Sequence, residues 1–153
     1  MMLAYRLVRL IETHSEELAS EHLAKVQSCS KCASYTRVVG EEVKQTVAGT
    51  YRHLGAWLLG KGERDIEPHY RELGQRRARQ GVPLAQLLWA LALTKENLVD
   101  FLRRQEANPE PAEVLSELEV LMALERFFDC ASYYSALGHE QATAERAAAA
   151  ANS

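Results

Sequence analysis

His69–Leu102, HYRELGQRRARQGVPLAQLLWALALTKENLVDFL, is the stretch whose reading decides the fold. It predicts two helices joined by one tight corner. Gly81 suits the end of the first helix, because glycine enters the left-handed backbone region without a Cβ clash. Pro83 stands where the second helix begins, with φ already fixed near the helical value. Leu84, Leu87, Leu88, Leu91, Leu98, Val99 and Leu102 then recur at helical spacing. The stretch holds no catalytic signature.

The same periodicity runs outward from this corner. Leu3, Leu7, Leu10, Ile11, Leu18 and Val26 lie on helical spacing. Thr13-His-Ser-Glu16 has the form of a capping box, so a bend into two helices is expected there. Cys29 to Gly40 is expected to be irregular. A third helix starts near Glu41, where two acids suit the positive end of the helix dipole. Its stripe is Val43, Val47, Thr50, Leu54 and Leu58, with Trp57 alongside, and Gly60-Lys-Gly62 ends it. Asp65 is placed to cap a fourth helix, with Pro68 in its first turn and Ile66, Tyr70, Leu73 and Arg77 in line. A fifth follows Pro83 to about Gln105, and Asn108-Pro-Glu-Pro111 breaks the chain.

A sixth helix runs from Pro111 to at least Leu137, with Val114, Leu118, Leu121 and Phe128 on one stripe. Leu124, Phe127 and Ala131 fall outside that stripe, and a helix apolar on more than one face has a second partner. Gly138 reads as a weak breaker, and the alanine-rich tail favours helix but offers little to pack. The expectation is therefore an all-α chain. One helical domain of about six helices fills 1–138, and a helical tail or linker fills 139–153.

Composition narrows the function. A chain of 153 residues buries about 70% of its unfolded surface and needs no disulfide or metal staple. A net charge of −3 gives no broad electrostatic reason to bind nucleic acid or an anionic membrane. Arg, Lys or Glu interrupts every apolar run before it reaches span length. The start, MMLAYRLVRLIETH, places arginines in the would-be apolar core of a signal peptide. Three cysteines cannot all pair within one chain, and a cytoplasmic setting is expected.

Cys29-Ser-Lys-Cys32 is a CxxC, the spacing of a redox pair, but no βαβ pattern surrounds it and one chain offers no four-ligand zinc set. A covalent haem would need His after the second Cys, where Ala33 stands. The expectation is no metal and no cofactor. Of the five histidines, only His53 and His69 are expected to face a common pocket. Arg71, Arg76, Arg77 and Arg79 alternate with Glu72 and Gln75, which reads as a solvated face.

Tyr70-Arg-Glu-Leu-Gly-Gln-Arg-Arg-Ala-Arg-Gln-Gly-Val-Pro-Leu84 resembles the N-terminal sensory domain of RsbT co-antagonist proteins, the RsbR-type stressosome components. The similarity continues through Leu87-Leu-Trp-Ala-Leu91, Leu54-Gly-Ala-Trp-Leu58, Leu10-Ile11-Glu12 and Ser34-Tyr35, and covers most of residues 3 to 135. It implies a globin-like signalling domain that binds no haem, commonly dimerises and usually precedes an output module. Because this chain ends shortly after the domain, the expectation is either an output domain missing from the chain or action through a regulatory partner protein.

The functional expectation is a non-enzymatic module that homodimerises and relays a signal. The alternative is a small-ligand or redox sensor using an internal pocket or Cys29 and Cys32. Leu124, Phe127 and Ala131 are the expected dimer surface. Arg77, Lys95 and Glu125 each fall within an apolar stripe, and isolated charges are rarely buried. Glu125 is therefore expected to pair with Arg77, Lys95 or both, near an internal pocket with His69 and Tyr70 that could receive an anionic ligand.

Overall fold

Gly81 takes φ +82°, a value that glycine tolerates and other residues rarely adopt. Its N–H donates to Ala78 O and that of Val82 to Arg77 O, both at 3.0 Å. These are the paired bonds of a Schellman motif. They end a helix over Glu63–Arg79, and Pro83, at ψ 150°, caps the next, Leu84–Arg104. In this computed structural model the backbone is described for residues 2–60, 62–105 and 111–152, and the side chains for 5–58, 62–105 and 117–152. The expected break at Asn108-Pro-Glu-Pro111 falls, apart from Pro111, outside the described residues.

Among the described residues all regular structure is helical: α1 (Met2–Thr13), α2 (Ser15–Ser28), α3 (Gly40–Arg52), α4 (Glu63–Arg79), α5 (Leu84–Arg104) and α6 (Pro111–Ala151). A 3₁₀ helix covers Ser30–Arg37 and a π-helical turn Ala56–Gly60. The bend between α1 and α2 falls where expected, but no capping box forms. Thr13 Oγ1 donates back to Arg9 O, and His14 Nδ1 to Leu10 O. The segment after Cys29, expected to be irregular, is mostly 3₁₀ with a kink at Cys32. At α4 the cap is Gly62, whose N–H donates to Asp65 Oδ2 at 3.2 Å. Pro68 thus stands beyond the first turn, and the Arg64 carbonyl that loses its donor lies among exposed residues.

The largest correction concerns α6. It runs through Gly138 without a break. Val120, Leu124, Phe127, Ala131, Ser135, Gly138 and Ala142 recur three or four residues apart and are all buried. Leu124, Phe127 and Ala131, expected on a dimer surface, lie in the chain's own core, whereas Leu118, expected inside, is 50% exposed. Both faces of this helix are apolar, so periodicity alone does not choose between them. The choice is made by α1, α4 and α5, which pack against one of them.

The most extensive interhelical contact is α4 against α6. A Cβ on Gly74 would lie 1.9 Å from Ser135 O, and one on Gly138 would lie 1.9 Å from Arg71 O. The two backbones therefore touch, each glycine facing a carbonyl of the other helix. Beyond the crossing, His139 Nε2 donates to Val82 O at 2.6 Å and Arg146 Nη1 to Ala78 O at 3.0 Å. The segment after residue 138, expected to pack little, thus closes over the Gly81 corner. From the other side Arg37 Nη1 donates to Gly81 O at 3.1 Å.

Gly138→Ala and Gly74→Ala should each cost about 3 kcal/mol, because backbone has to move aside for the added methyl. Gly49, inside α3, has nothing within 4 Å of its Cβ position, so Gly49→Ala should gain about 0.5–1 kcal/mol. Urea unfolding followed by circular dichroism checks both signs.

Candidate functional site

The interior holds a polar centre. His22 lies one helical turn from both Leu18 and Val26, which carry it into the core at 1% exposure. Its Nε2 sits 3.1 Å from Ala90 O and 3.0 Å from Thr94 Oγ1. A carbonyl can only accept, so Nε2 carries the proton and Nδ1 is left as an acceptor. Thr94 Oγ1 donates to Ala90 O at 2.9 Å. His22 Nδ1 has no partner. Burial, partly opposed by the Ala90 bond and reinforced by Lys25, lowers its pKa to about 4.

Around it, Tyr51 Oη donates to Thr94 O at 2.9 Å and Asn97 Nδ2 to Leu18 O at 2.9 Å. Thr50 Oγ1 lies 3.3 Å from Thr46 O and 3.1 Å from Tyr70 Oη, a hydroxyl pair in which either oxygen can donate. Burial pushes the Tyr70 phenol up to about 12. His22, Thr50, Tyr70, Arg77 and Thr94 line one internal cavity with Val47, Leu91 and Phe128. It offers about 30 Å³ to water centres, room for about two waters and far too little for a haem. Two larger clefts, of about 290 and 390 Å³, include exposed residues in their lining and none of the unpaired buried polar atoms.

Arg77 is inside, as its place on the α4 stripe predicts, at 2% exposure. Its partner is not Glu125. Arg77 Nη1 donates to Glu42 Oε1 at 2.8 Å and to Gln80 Oε1 at 2.9 Å. Gln80 Nε2 donates to both Glu42 oxygens, and Arg76 Nε lies 3.2 Å from Glu42 Oε1. Burial raises the Glu42 pKa, but Gln80, Arg77 and Arg76 together outweigh it and hold the carboxyl below its usual value. Glu42, read from sequence only as a partner for the α3 dipole, is thus the counter-ion of the buried cation.

Glu125 does meet Lys95, at 3.1 Å, but their side chains are 56% and 32% exposed. That is a surface pair worth about 0–1 kcal/mol, away from the cavity lining. His69 is exposed and packs its ring on Trp57 and Tyr70, at centroid distances of 5.4 and 4.8 Å. Tyr70 points inward because successive helical residues diverge by about 100°. His53 is also exposed. His22, the histidine in the cavity, was legible only as a member of the Leu18–Val26 arc. Thr94 and Asn97 hide in the same way among the leucines of α5.

All three cysteines are free. Cys32 is buried, and its Sγ donates to Gln86 O at 3.9 Å. Burial, then the neighbouring Cys29, push its pKa up to about 11, which disfavours the thiolate that redox chemistry uses. Among the described residues no three His, Cys, Asp or Glu side chains gather in a metal-binding group.

Two predictions follow from these charges. Glu42→Ala strands the buried Arg77 and should cost about 3 kcal/mol, whereas Glu125→Ala should change stability by less than about 1 kcal/mol; denaturant midpoints compare them. The Glu42 contribution is present above about pH 4.5 and drains as pH falls through the lowered folded value. His22 acts over a higher window. Between about pH 6.5 and 4 the unfolded chain takes up a proton that the folded chain refuses, so stability falls by about 3 kcal/mol as pH drops. His22→Gln should flatten that part of the stability–pH profile.

A family model described as the RsbT co-antagonist protein rsbRD N-terminal domain matches residues 12–153. No curated protein and no solved structure matches the chain. The match spans α2 to the end of α6, including the Gly81 corner, the Gly74–Gly138 crossing and every residue that lines the cavity. The chain therefore belongs to the RsbT co-antagonist protein rsbRD N-terminal domain family.

Proposed function

We propose that this chain is a non-enzymatic regulatory domain that homodimerises and relays a stress signal to a partner protein or output module in the cytoplasm. The observation that carries the reading is the family match over residues 12–153, since membership implies a stress-response signalling domain. No described helix is long and apolar enough to cross a membrane.

The dimer surface is assigned to the outer face of α6. Leu118, Met122 and Tyr133 fall on one side of that helix and are 50%, 72% and 60% exposed. Covering the exposed part of such side chains is worth about 25 cal/mol per Å² of apolar surface removed from water. A second copy presenting the same face would cover them by two-fold symmetry.

The test joins mass to output. Light scattering of the parent chain at high micromolar concentration should give twice the chain mass, and Leu118→Glu with Met122→Glu should give the chain mass with unchanged helicity. In cells, the same double variant should alter a stress-response reporter as deletion of the chain does. A monomeric parent would remove the dimer, and a reporter indifferent to deletion would remove the regulatory role.

A further inference from the structure

We propose that Cys29 and Cys32 are a peroxide-responsive pair that closes to an intramolecular disulfide. The inference goes beyond the regulatory reading and does not depend on it. In a regular helix, Cβ atoms three residues apart lie about 5–6 Å from each other, and a disulfide needs about 3.5–4.5 Å. The backbone here is not a regular helix. Cys29 stands between two helices, extended at φ −94° and ψ 122°, and caps the 3₁₀ helix that begins at Ser30. Cys32, three residues on, departs from helical geometry at φ −120°. Its N–H donates to Cys29 O at 3.1 Å, which closes the turn. The two thiols meet across that turn, with Cys29 a hydrogen-bonding neighbour of the Cys32 side chain.

The surroundings divide the roles. Cys29 is half-buried, whereas Cys32 is 2% exposed. Burial is the main reason that Cys32 holds its proton, and charge on Cys29 adds to it. Cys29 is therefore the thiol that ionises and attacks. Its sulfur takes one oxygen from peroxide, which gives a sulfenic acid and releases the other oxygen as water. The neutral sulfenic acid no longer opposes ionisation of Cys32. The Cys32 sulfur then attacks the Cys29 sulfur, the S–S bond forms and the S–O bond breaks. Hydroxide leaves with the Cys32 proton as a second water. The two thiols together lose two electrons and two protons, and the peroxide becomes two waters. Closure costs the Cys32 thiol its long contact with Gln86 O, at 3.9 Å.

The test starts from the full chain, reduced, exposed to hydrogen peroxide, blocked with an alkylating agent and digested with trypsin. Lys31 lies between the two cysteines, so cleavage separates residues 26–31 from 32–37 unless a disulfide joins them. The joined pair should appear, lighter by two hydrogens than the sum of the separate peptides, and dithiothreitol should part it. Thiol titration should find one free thiol per chain, Cys130, in place of three. In Cys32→Ser, dimedone should label the sulfenic acid at Cys29. In Cys29→Ser, Cys32 should react with peroxide at least about tenfold more slowly than Cys29 does in the parent. Three thiols surviving in the treated parent, or a disulfide to Cys130 or between chains in place of the joined pair, would overturn the proposal. So would oxidation of Cys32 at the parental rate in folded Cys29→Ser. The peptide map of the parent decides the question even where a serine variant fails to fold.

Discussion

The crossing of α4 and α6 at Gly74 and Gly138 is the constraint on which the rest of the structure depends. Each glycine lies where any side chain would collide with a carbonyl of the facing helix. That closeness fixes the two helices in register as well as in distance, because a shift by one residue would set a side chain against backbone. Once the register is set, Ser135, Ala131, Phe127 and Leu124 follow as the buried edge of α6. Ile66, Tyr70, Leu73 and Arg77 follow as the buried edge of α4. The Gly81 corner then aims α5, and His139 and Arg146 tie the far end of α6 to that corner.

Inside this frame the polar groups fall into two kinds. The Arg77–Glu42–Gln80 cluster is a closed account of charge: a buried cation, a partly exposed carboxylate and an amide that bonds to both. The cluster ties α3 to the end of α4, and desolvation of the buried cation opposes its Coulomb attraction to the carboxylate. The His22 centre differs in being uncharged; it is satisfied on Nε2 and open on Nδ1. Burial keeps the imidazole neutral through the physiological range.

With Leu124, Phe127 and Ala131 spent on the core, the large apolar side chains that stay exposed on α6 among the described residues are Leu118, Met122 and Tyr133. The Lys95–Glu125 pair stands on the exposed side of α5 and α6. It orders side chains there without reaching the interior.

By itself the sequence determined the elements and the family. Helical periodicity, Gly81 and Pro83 are local signals, and local signals survive without knowledge of neighbours. The same holds for the arc that buries Arg77, which needs only the helical repeat. Tertiary structure decided the rest. Which of two apolar faces of α6 turns inward depends on what packs against it, so the expected dimer residues became core. Which acid meets Arg77 depends on the position of α3, so Glu42 rather than Glu125 took the role. Gly138 looked like a helix breaker because glycine disfavours helices when nothing touches it. In the fold it is the residue that lets α6 touch α4. Its meaning lies in a carbonyl 67 positions away in the chain, at Arg71.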